Sequence, residues 1–463
     1  MERFDLIIVG TGSGNSIPAE LDGWRIALVE RDVFGGTCLN RGCIPSKMFV
    51  YAADVAASVG EGAHLGVHAT LDRIDWPSIV QRVFGRIDAI AAGGEDYRTN
   101  RCPNVTVFRG HGRFVGPKII EVNGNQITAP QILLAAGARP QIPDIPGLAG
   151  SGYYTSDNVM RLPELPASMV ILGGGYIAAE LGHVFGSFGT KVTYVVRGPR
   201  VLREQDDDIS LRATQEYAKR FEIISSATDL MVGNANGRTV VSGIAEGRRF
   251  TVAADVLLVA TGRIPNGDEL AVAASGIETA PDGRRVLSDD TLATSIAGVW
   301  ALGDLTNTVQ LKHLANAEGR MVFHNLGLYG PGGDRAVDPG QLRRIDRRLV
   351  PAAVFGHPQI ATVGLRERDV AAQGIPHVVS LKDFGATAYG WAMDDSTSFC
   401  KLIAHRDTRL LLGAHIIGPQ ASTLIQPLIQ AMHFGQTVDQ LAHDVWYIHP
   451  ALTEVVENAL LDL

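Results

Sequence analysis

Two of the chain's four cysteines, Cys38 and Cys43, stand five positions apart in GGTCLNRGCIPSK, residues 35–47. A pair this close can clip a metal, crosslink a fold or form a disulfide that opens and closes. Zinc asks for four ligands, and the chain has no CxxC, no HExxH and no other cysteine cluster. Four cysteines in 463 residues are also too few for a disulfide scaffold. A disulfide needs Cα atoms within about 7 Å, whereas five residues of ideal helix rise about 7.5 Å. Bridging Cys38 to Cys43 therefore demands a distorted turn, which Gly42 eases. A small strained ring suits thiol–disulfide exchange better than reinforcement. Cys102 and Cys400 are isolated and read as packing residues.

Glycine clusters carry the second chemical signal. In LIIVGTGSGNSIPAE (6–20), Gly10, Gly12 and Gly14 fall where a strand turns toward a helix, so backbone N–H groups and a helix N-terminus can face a pyrophosphate. Glu30 closes IALVE, 20 residues past Gly10, where a carboxylate can bind an adenosine ribose hydroxyl. Asn15 stands in place of the last fingerprint glycine, and Pro18 predicts a shortened helix. In MVILGGGYIAAELG (169–182), Gly173, Gly175 and Ala178 complete GxGxxA between a strand and a long helix. The next strand ends in KVTYVVRGPRVLR, with Arg197 where an acid would select NAD and with Arg200 and Arg203 close behind. Arginines there can pair with a 2′-phosphate, which argues for NADPH.

These sites need two similar scaffolds in tandem. Each glycine cluster is followed by a second matched phrase, ILLAAGARP (132–140) and VLLVATGRIP (256–265, containing Gly262), again an apolar strand entering glycine. The expected fold is α/β: two Rossmann-like dinucleotide-binding domains, residues 1–147 and 148–268, a return segment 269–341 completing the first, and an α+β C-terminal domain 342–463. In 421–435 Leu424, Ile425, Leu428, Ile429 and Met432 share one helix face, which suits either the core or a subunit contact. RRIDRR (343–348) reads as solvated surface.

Composition narrows the class. Forty-one Lys and Arg against 49 Asp and Glu leave a net charge of -8, giving no electrostatic reason to bind nucleic acid or an anionic membrane. The start MERFDLIIVGTG lacks the basic and apolar regions of a secretory signal, so a cytoplasmic protein is expected. Residues 410–438 carry no Asp, Glu, Lys or Arg, yet Pro419, Pro427 and four glutamines argue against a membrane-spanning helix.

GGTCLNRGCIPSK resembles the redox-active segment of the pyridine nucleotide-disulfide oxidoreductases of the glutathione reductase and lipoamide dehydrogenase type. GVWALGD (298–304) and HPALTEVVENAL (449–460) extend the resemblance over essentially the whole chain, with Ala451 in place of the family's usual threonine. The resemblance implies FAD in the first unit, bound through Gly10, Gly12, Gly14, Glu30, Thr37 and Asp304, and a reduced nicotinamide in the second, bound near Gly173, Gly175, Tyr176, Arg197, Arg203 and Gly262. It implies Cys43 as the charge-transfer thiol against the flavin and Cys38 as the interchange thiol. It also implies a Lys47–Glu180 ion pair near the flavin, Tyr176 as an aromatic lid, and a homodimer in which His449 serves the other subunit's disulfide. Physical chemistry agrees: a thiolate is the nucleophile, so a base must take the thiol proton, and His449 oriented by Glu454 can do so.

Within the family, GTGSGNS (10–16), GCIPSKMFVYAA (42–53) and WYIHPAL (446–452) resemble the branch that reduces mycothione, the disulfide of the sugar thiol mycothiol. The glutathione branch has an arginine pair in its first helix where this chain has Glu20 and Leu21, so a glutathione carboxylate would lack its partners. Lipoamide dehydrogenase, which uses NAD, is the alternative, and Arg197 speaks against it. A mercuric reductase would end in a cysteine pair that is absent here.

Overall fold

The apolar runs that enter glycine become parallel strands. The structure is a computed structural model that describes residues 1–463, and the chain divides into two units. The first comprises Met1–Ser46, Val80–Gln141 and Gly262–Asp346. Its main sheet has the order Val299–Ala301, Gln131–Leu134, Leu6–Val9, Ile26–Glu30, Val105–Arg109, every neighbour parallel. Parallel sheets are covered on both faces and so carry continuous apolar runs. Alternate residues feed two separate cores, as the two-residue strand period requires: Ile7, Val9, Ala27, Ile132 and Leu134 enter one, Leu6, Ile8, Ile26, Leu28 and Leu133 the other.

The second unit comprises Lys47–Ile79, Ile142–Thr261 and Arg347–Leu463. It repeats the pattern in a four-stranded parallel sheet ordered Glu222–Ile224, Lys191–Val195, Ser168–Leu172, Val256–Val259. The internal repeat is thus a repeat of pairing. Leu6–Val9 lies beside Gln131–Leu134, and Ser168–Leu172 lies beside Val256–Val259.

The two units differ after their glycine turns. Gly173–Gly175 leads into the twelve-residue helix Tyr176–Ser187. Gly10–Gly14 leads instead into a single 3-10 turn, Ser13–Asn15, and a second one at Ala19–Leu21. The shortened helix expected there is no α-helix at all, because Pro18 has no N–H to donate and its ring excludes a helical turn before it.

Residues 350–463 build a five-stranded antiparallel sheet in the second unit, ordered Ala352–Val354, Ile360–Gly364, Leu411–Ile417, Phe399–His405, His377–Asp383. The uncharged stretch 410–438 supplies its strand Leu411–Ile417 and the helices Ala421–Leu424 and Gln426–Phe434. Leu424, Ile425 and Leu428 are buried in this core, so that helix face is internal. No helix is long and apolar enough to cross a membrane.

His415, fully buried in this sheet, has Nδ1 beside Thr362 Oγ1 at 2.6 Å and Nε2 3.0 Å from the Leu365 carbonyl oxygen. Burial pushes its pKa below the ordinary histidine value, and Asp206 and the carbonyl only partly oppose this. The unfolded chain then binds a proton that the folded chain refuses, so stability falls as pH drops below about 6.5. Thermal unfolding between pH 7.5 and 5 should show this loss, and His415→Gln should flatten that part of the profile.

Candidate active site

Cys38 sits in the short helix Gly36–Asn40, and Cys43 opens the long helix Cys43–Glu61. Between them the chain leaves helical geometry at Arg41, with φ -151° and ψ 14°. A side chain at Gly42 would meet the Thr37 carbonyl oxygen at 2.9 Å and Cys38 Cα at 3.3 Å. The distorted turn anticipated for a short bridge is therefore present, and glycine is what lets it close. Asn40 braces the segment by donating to the carbonyls of Phe34 at 2.8 Å and Gly36 at 3.1 Å.

The same segment lies on the first glycine turn. A Cβ at Gly36 would meet Gly12 Cα at 2.8 Å, so this approach needs glycine at position 36. Gly35 N–H donates to Thr11 Oγ1 at 3.1 Å, and Thr11 in turn donates its N–H (2.9 Å) and hydroxyl (2.6 Å) to Glu30. Glu30 also accepts from Asp32 N–H at 2.8 Å. The strand-end carboxylate, the glycine turn and the cysteine helix form one hydrogen-bonded piece.

Cys38 and Cys43 are held as hydrogen-bonded thiols. The Cys43 side chain pushes the Cys38 thiol well above the ordinary thiol range, burial adds to this, and Lys312 pulls the other way. A thiol whose pKa is raised forms its thiolate more readily with a base at hand.

In the second unit, Lys47 Nζ lies 2.6 Å from both carboxylate oxygens of Glu180, which is buried and also accepts from Phe355 N–H at 3.0 Å. Tyr176, 41% exposed, opens the helix that carries Glu180. Arg197 is exposed just past the strand Lys191–Val195. Arg203 is exposed too and pairs with Glu204 at 3.3 Å, and Arg200 Nη1 donates to the Asp207 carbonyl at 3.0 Å.

His449 Nδ1 lies 2.6 Å from Glu454 Oε1, the first residue of the helix Glu454–Leu461. The carboxylate fixes the proton on Nδ1 and leaves Nε2 as the acceptor. The ring is 70% exposed, whereas the Glu454 side chain is largely enclosed. Trp446 and Ile448 beside it are 96% and 76% exposed, an apolar surface suited to burial against another chain.

Residues 4–319 match the family described as pyridine nucleotide-disulphide oxidoreductase, and residues 350–460 match its dimerisation domain. The chain belongs to this oxidoreductase family. It is 48% identical over 471 residues, covering all of both chains, to the mycothione reductase of Mycobacterium tuberculosis (strain ATCC 25618 / H37Rv). It is 33% identical to the dihydrolipoyl dehydrogenase of Halobacterium salinarum, across 98% of this chain and 95% of that one. It is 32% identical to a mercuric reductase of Staphylococcus aureus, across 95% of this chain and 78% of that one. Among solved structures, the Cu(II) complex of the HOCl-induced flavoprotein disulfide reductase RclA from Escherichia coli matches with a TM-score of 0.83 at 26% identity, covering 100% of both chains.

The oxidoreductase family and these relatives imply FAD and a pyridine nucleotide as cofactors, and the dimerisation domain implies a homodimer. The first unit fits a flavin dinucleotide. Gly12 and Gly36 add no side chains where the turn meets the cysteine segment, and Asp304 keeps a carboxylate that no hydrogen bond within the protein claims. Burial raises the Asp304 carboxyl above its ordinary value while Arg263 and Lys312 pull it down.

Sequence reasoning missed four residues here. Lys312 Nζ donates to Ser13 Oγ at 2.9 Å, and Ser13 Oγ donates to Asn316 Oδ1 at 3.1 Å. Arg98 donates from Nε to Asn15 Oδ1 at 2.9 Å and from Nη2 to the Asn15 carbonyl at 2.8 Å. A lysine opening a helix whose first turn holds no acid was the available signal for the first of these pairs.

Proposed function

We propose that the chain is an NADPH-dependent, FAD-containing reductase of mycothione, active as a cytoplasmic homodimer. The observation that carries the substrate is the 48% identity to mycothione reductase over the whole of both chains. The close approach of Cys38 and Cys43 across Gly42 supports the chemistry. The reaction balances as NADPH, one proton and one mycothione giving NADP⁺ and two mycothiols. FAD, when bound, supplies the two-electron relay from nicotinamide to disulfide.

The chain's own residues do the rest. On this reading the Cys38–Cys43 disulfide is reduced to two thiols, and His449 takes the Cys38 proton at Nε2. The Cys38 thiolate attacks one mycothione sulfur, forming a mixed disulfide, and His449 returns the proton to the departing mycothiol. The Cys43 thiol then gives up its proton, which passes through His449 to the second departing mycothiol, and as a thiolate attacks the Cys38 sulfur and closes the ring. His449 and Glu454 act on the disulfide of the other subunit, which accords with an open imidazole flanked by Trp446 and Ile448. Lys47 and Glu180 form an ion pair within the second unit, and Tyr176 covers the nicotinamide site. Gly173, Gly175 and Gly262 line the nicotinamide side; Gly10, Gly12, Gly14, Glu30, Thr37 and Asp304 hold FAD.

Thiol titration tests the redox step. Anaerobic NADPH should add two reactive thiols per subunit, and one equivalent of mycothione should remove them from the protein once the released mycothiol is separated; no gain of thiols with NADPH contradicts the reading. For the nicotinamide, the exposed guanidiniums of Arg197 and Arg203 can reach a 2′-phosphate. Replacing both by alanine should cut the NADPH over NADH preference in kcat/KM by roughly 10- to 100-fold. An unchanged ratio would remove them from that role.

A further inference from the structure

A dinucleotide's pyrophosphate commonly rests on a helix N-terminus, where free N–H groups and the macrodipole meet its charge. The first glycine turn of this chain has no such helix. It runs into the 3-10 turn Ser13–Asn15, and Pro18 closes off continuation. Two cations from distant parts of the first unit converge on that turn instead. Arg98 engages both the side chain and the carbonyl of Asn15, the carbonyl that a continuing helix would have satisfied from within. Lys312 reaches Ser13.

Lys312 is poorly placed for the stability of its own helix. It is the first residue of Lys312–Leu328, a helix with no acid in its first turn and no side-chain cap on Leu311. A cation there is opposed by the macrodipole. Its ammonium hydrogen-bonds a neutral hydroxyl rather than a carboxylate, and the Ser13 proton is already donated to Asn316. Two ammonium N–H donors remain beside a positive helix pole. The Asp304 carboxylate lies within electrostatic reach of this half-buried ammonium but makes no hydrogen bond to it, so the free donors can still take an anionic ligand.

We propose that Lys312 binds the pyrophosphate of the dinucleotide in the first unit, replacing the missing helix N-terminus, and that Arg98 is a positioning residue that holds the glycine turn in shape through Asn15. The inference rests on the reading of that unit as the FAD site. Asn15, which breaks the usual glycine fingerprint, then has a purpose: its amide oxygen and its carbonyl are the two acceptors that Arg98 grips.

The test is ligand affinity of the full-length chain freed of flavin, titrated with FAD, ADP and riboflavin. Lys312→Met should weaken FAD and ADP by the same factor, roughly 10- to 100-fold, and leave riboflavin, which has no phosphate, unchanged. Lys312→Arg should restore ADP to within about threefold of the parent, since a guanidinium also serves phosphate. Arg98→Met should weaken FAD and ADP together without altering riboflavin. An ADP affinity indifferent to Lys312→Met would overturn the proposal, and a simultaneous shift of the Cys38 thiol pKa would reassign the lysine as the counter-ion of that thiolate. A parent chain that binds neither FAD nor ADP would instead refute the flavin reading itself, and the role of Lys312 with it.

Discussion

Replacing Cys38 by serine should lower NADPH-driven mycothione reduction by more than about three orders of magnitude, because a serine hydroxyl neither attacks a disulfide at neutral pH nor closes one. Cys43→Ser should be as inactive, but for a different reason. With Cys38 intact the substrate is attacked, one mycothiol leaves, and the other stays bound because no Cys43 thiolate can displace it. Mass spectrometry after exposure to mycothione should therefore find one mycothiol on Cys43→Ser and none on Cys38→Ser. The spectra should divide the opposite way. Reduced Cys38→Ser should keep a long-wavelength absorbance from the Cys43 thiolate beside oxidised flavin, which Cys43→Ser should lose. The adduct on the wrong variant would reverse the two roles.

His449→Ala should cost roughly 10²- to 10⁴-fold in turnover, the usual worth of a positioned general acid–base group. The reason lies in the Cys38 thiol, whose Cys43 neighbour and burial push its pKa above the ordinary thiol value, so a base assists loss of its proton. Glu454→Gln should cost less, since an amide can still accept from Nδ1 although it no longer stabilises the imidazolium. The pair also reports the dimer. In a mixed dimer of Cys38→Ser and His449→Ala chains, one site combines an intact Cys38 with an intact His449 only if the histidine comes from across the interface. Mixing the two dead variants under exchange should then restore activity. If the mixed dimer stays inactive, His449 serves its own subunit or none.

The ease with which the sequence could be read depended on how far apart the cooperating residues lie. Cys38 with Cys43, and His449 with Glu454, are each five positions apart, so their chemistry shows in a single phrase. The parallel strands Leu6–Val9 and Ser168–Leu172 stood out because burial on both faces leaves an unbroken apolar run. Lys47 and Glu180, 133 positions apart, were paired through family resemblance; nothing periodic links them. Lys312 with Ser13, 299 apart, and Arg98 with Asn15, 83 apart, went unseen because a long-range pair leaves no local pattern. The region after Gly14 shows the limit in a different form. Pro18 pointed to a shortened helix, and the loss is complete because proline and the Arg98 clamp on Asn15 both favour a turn.

The most direct test of the account follows NADPH oxidation by the purified flavoprotein with mycothione and glutathione disulfide side by side. Rapid turnover is expected with mycothione and little with glutathione disulfide, with NADH a poor substitute for NADPH. Turnover with neither disulfide, together with NAD-dependent oxidation of dihydrolipoamide, would contradict it and reopen the assignment of Arg197.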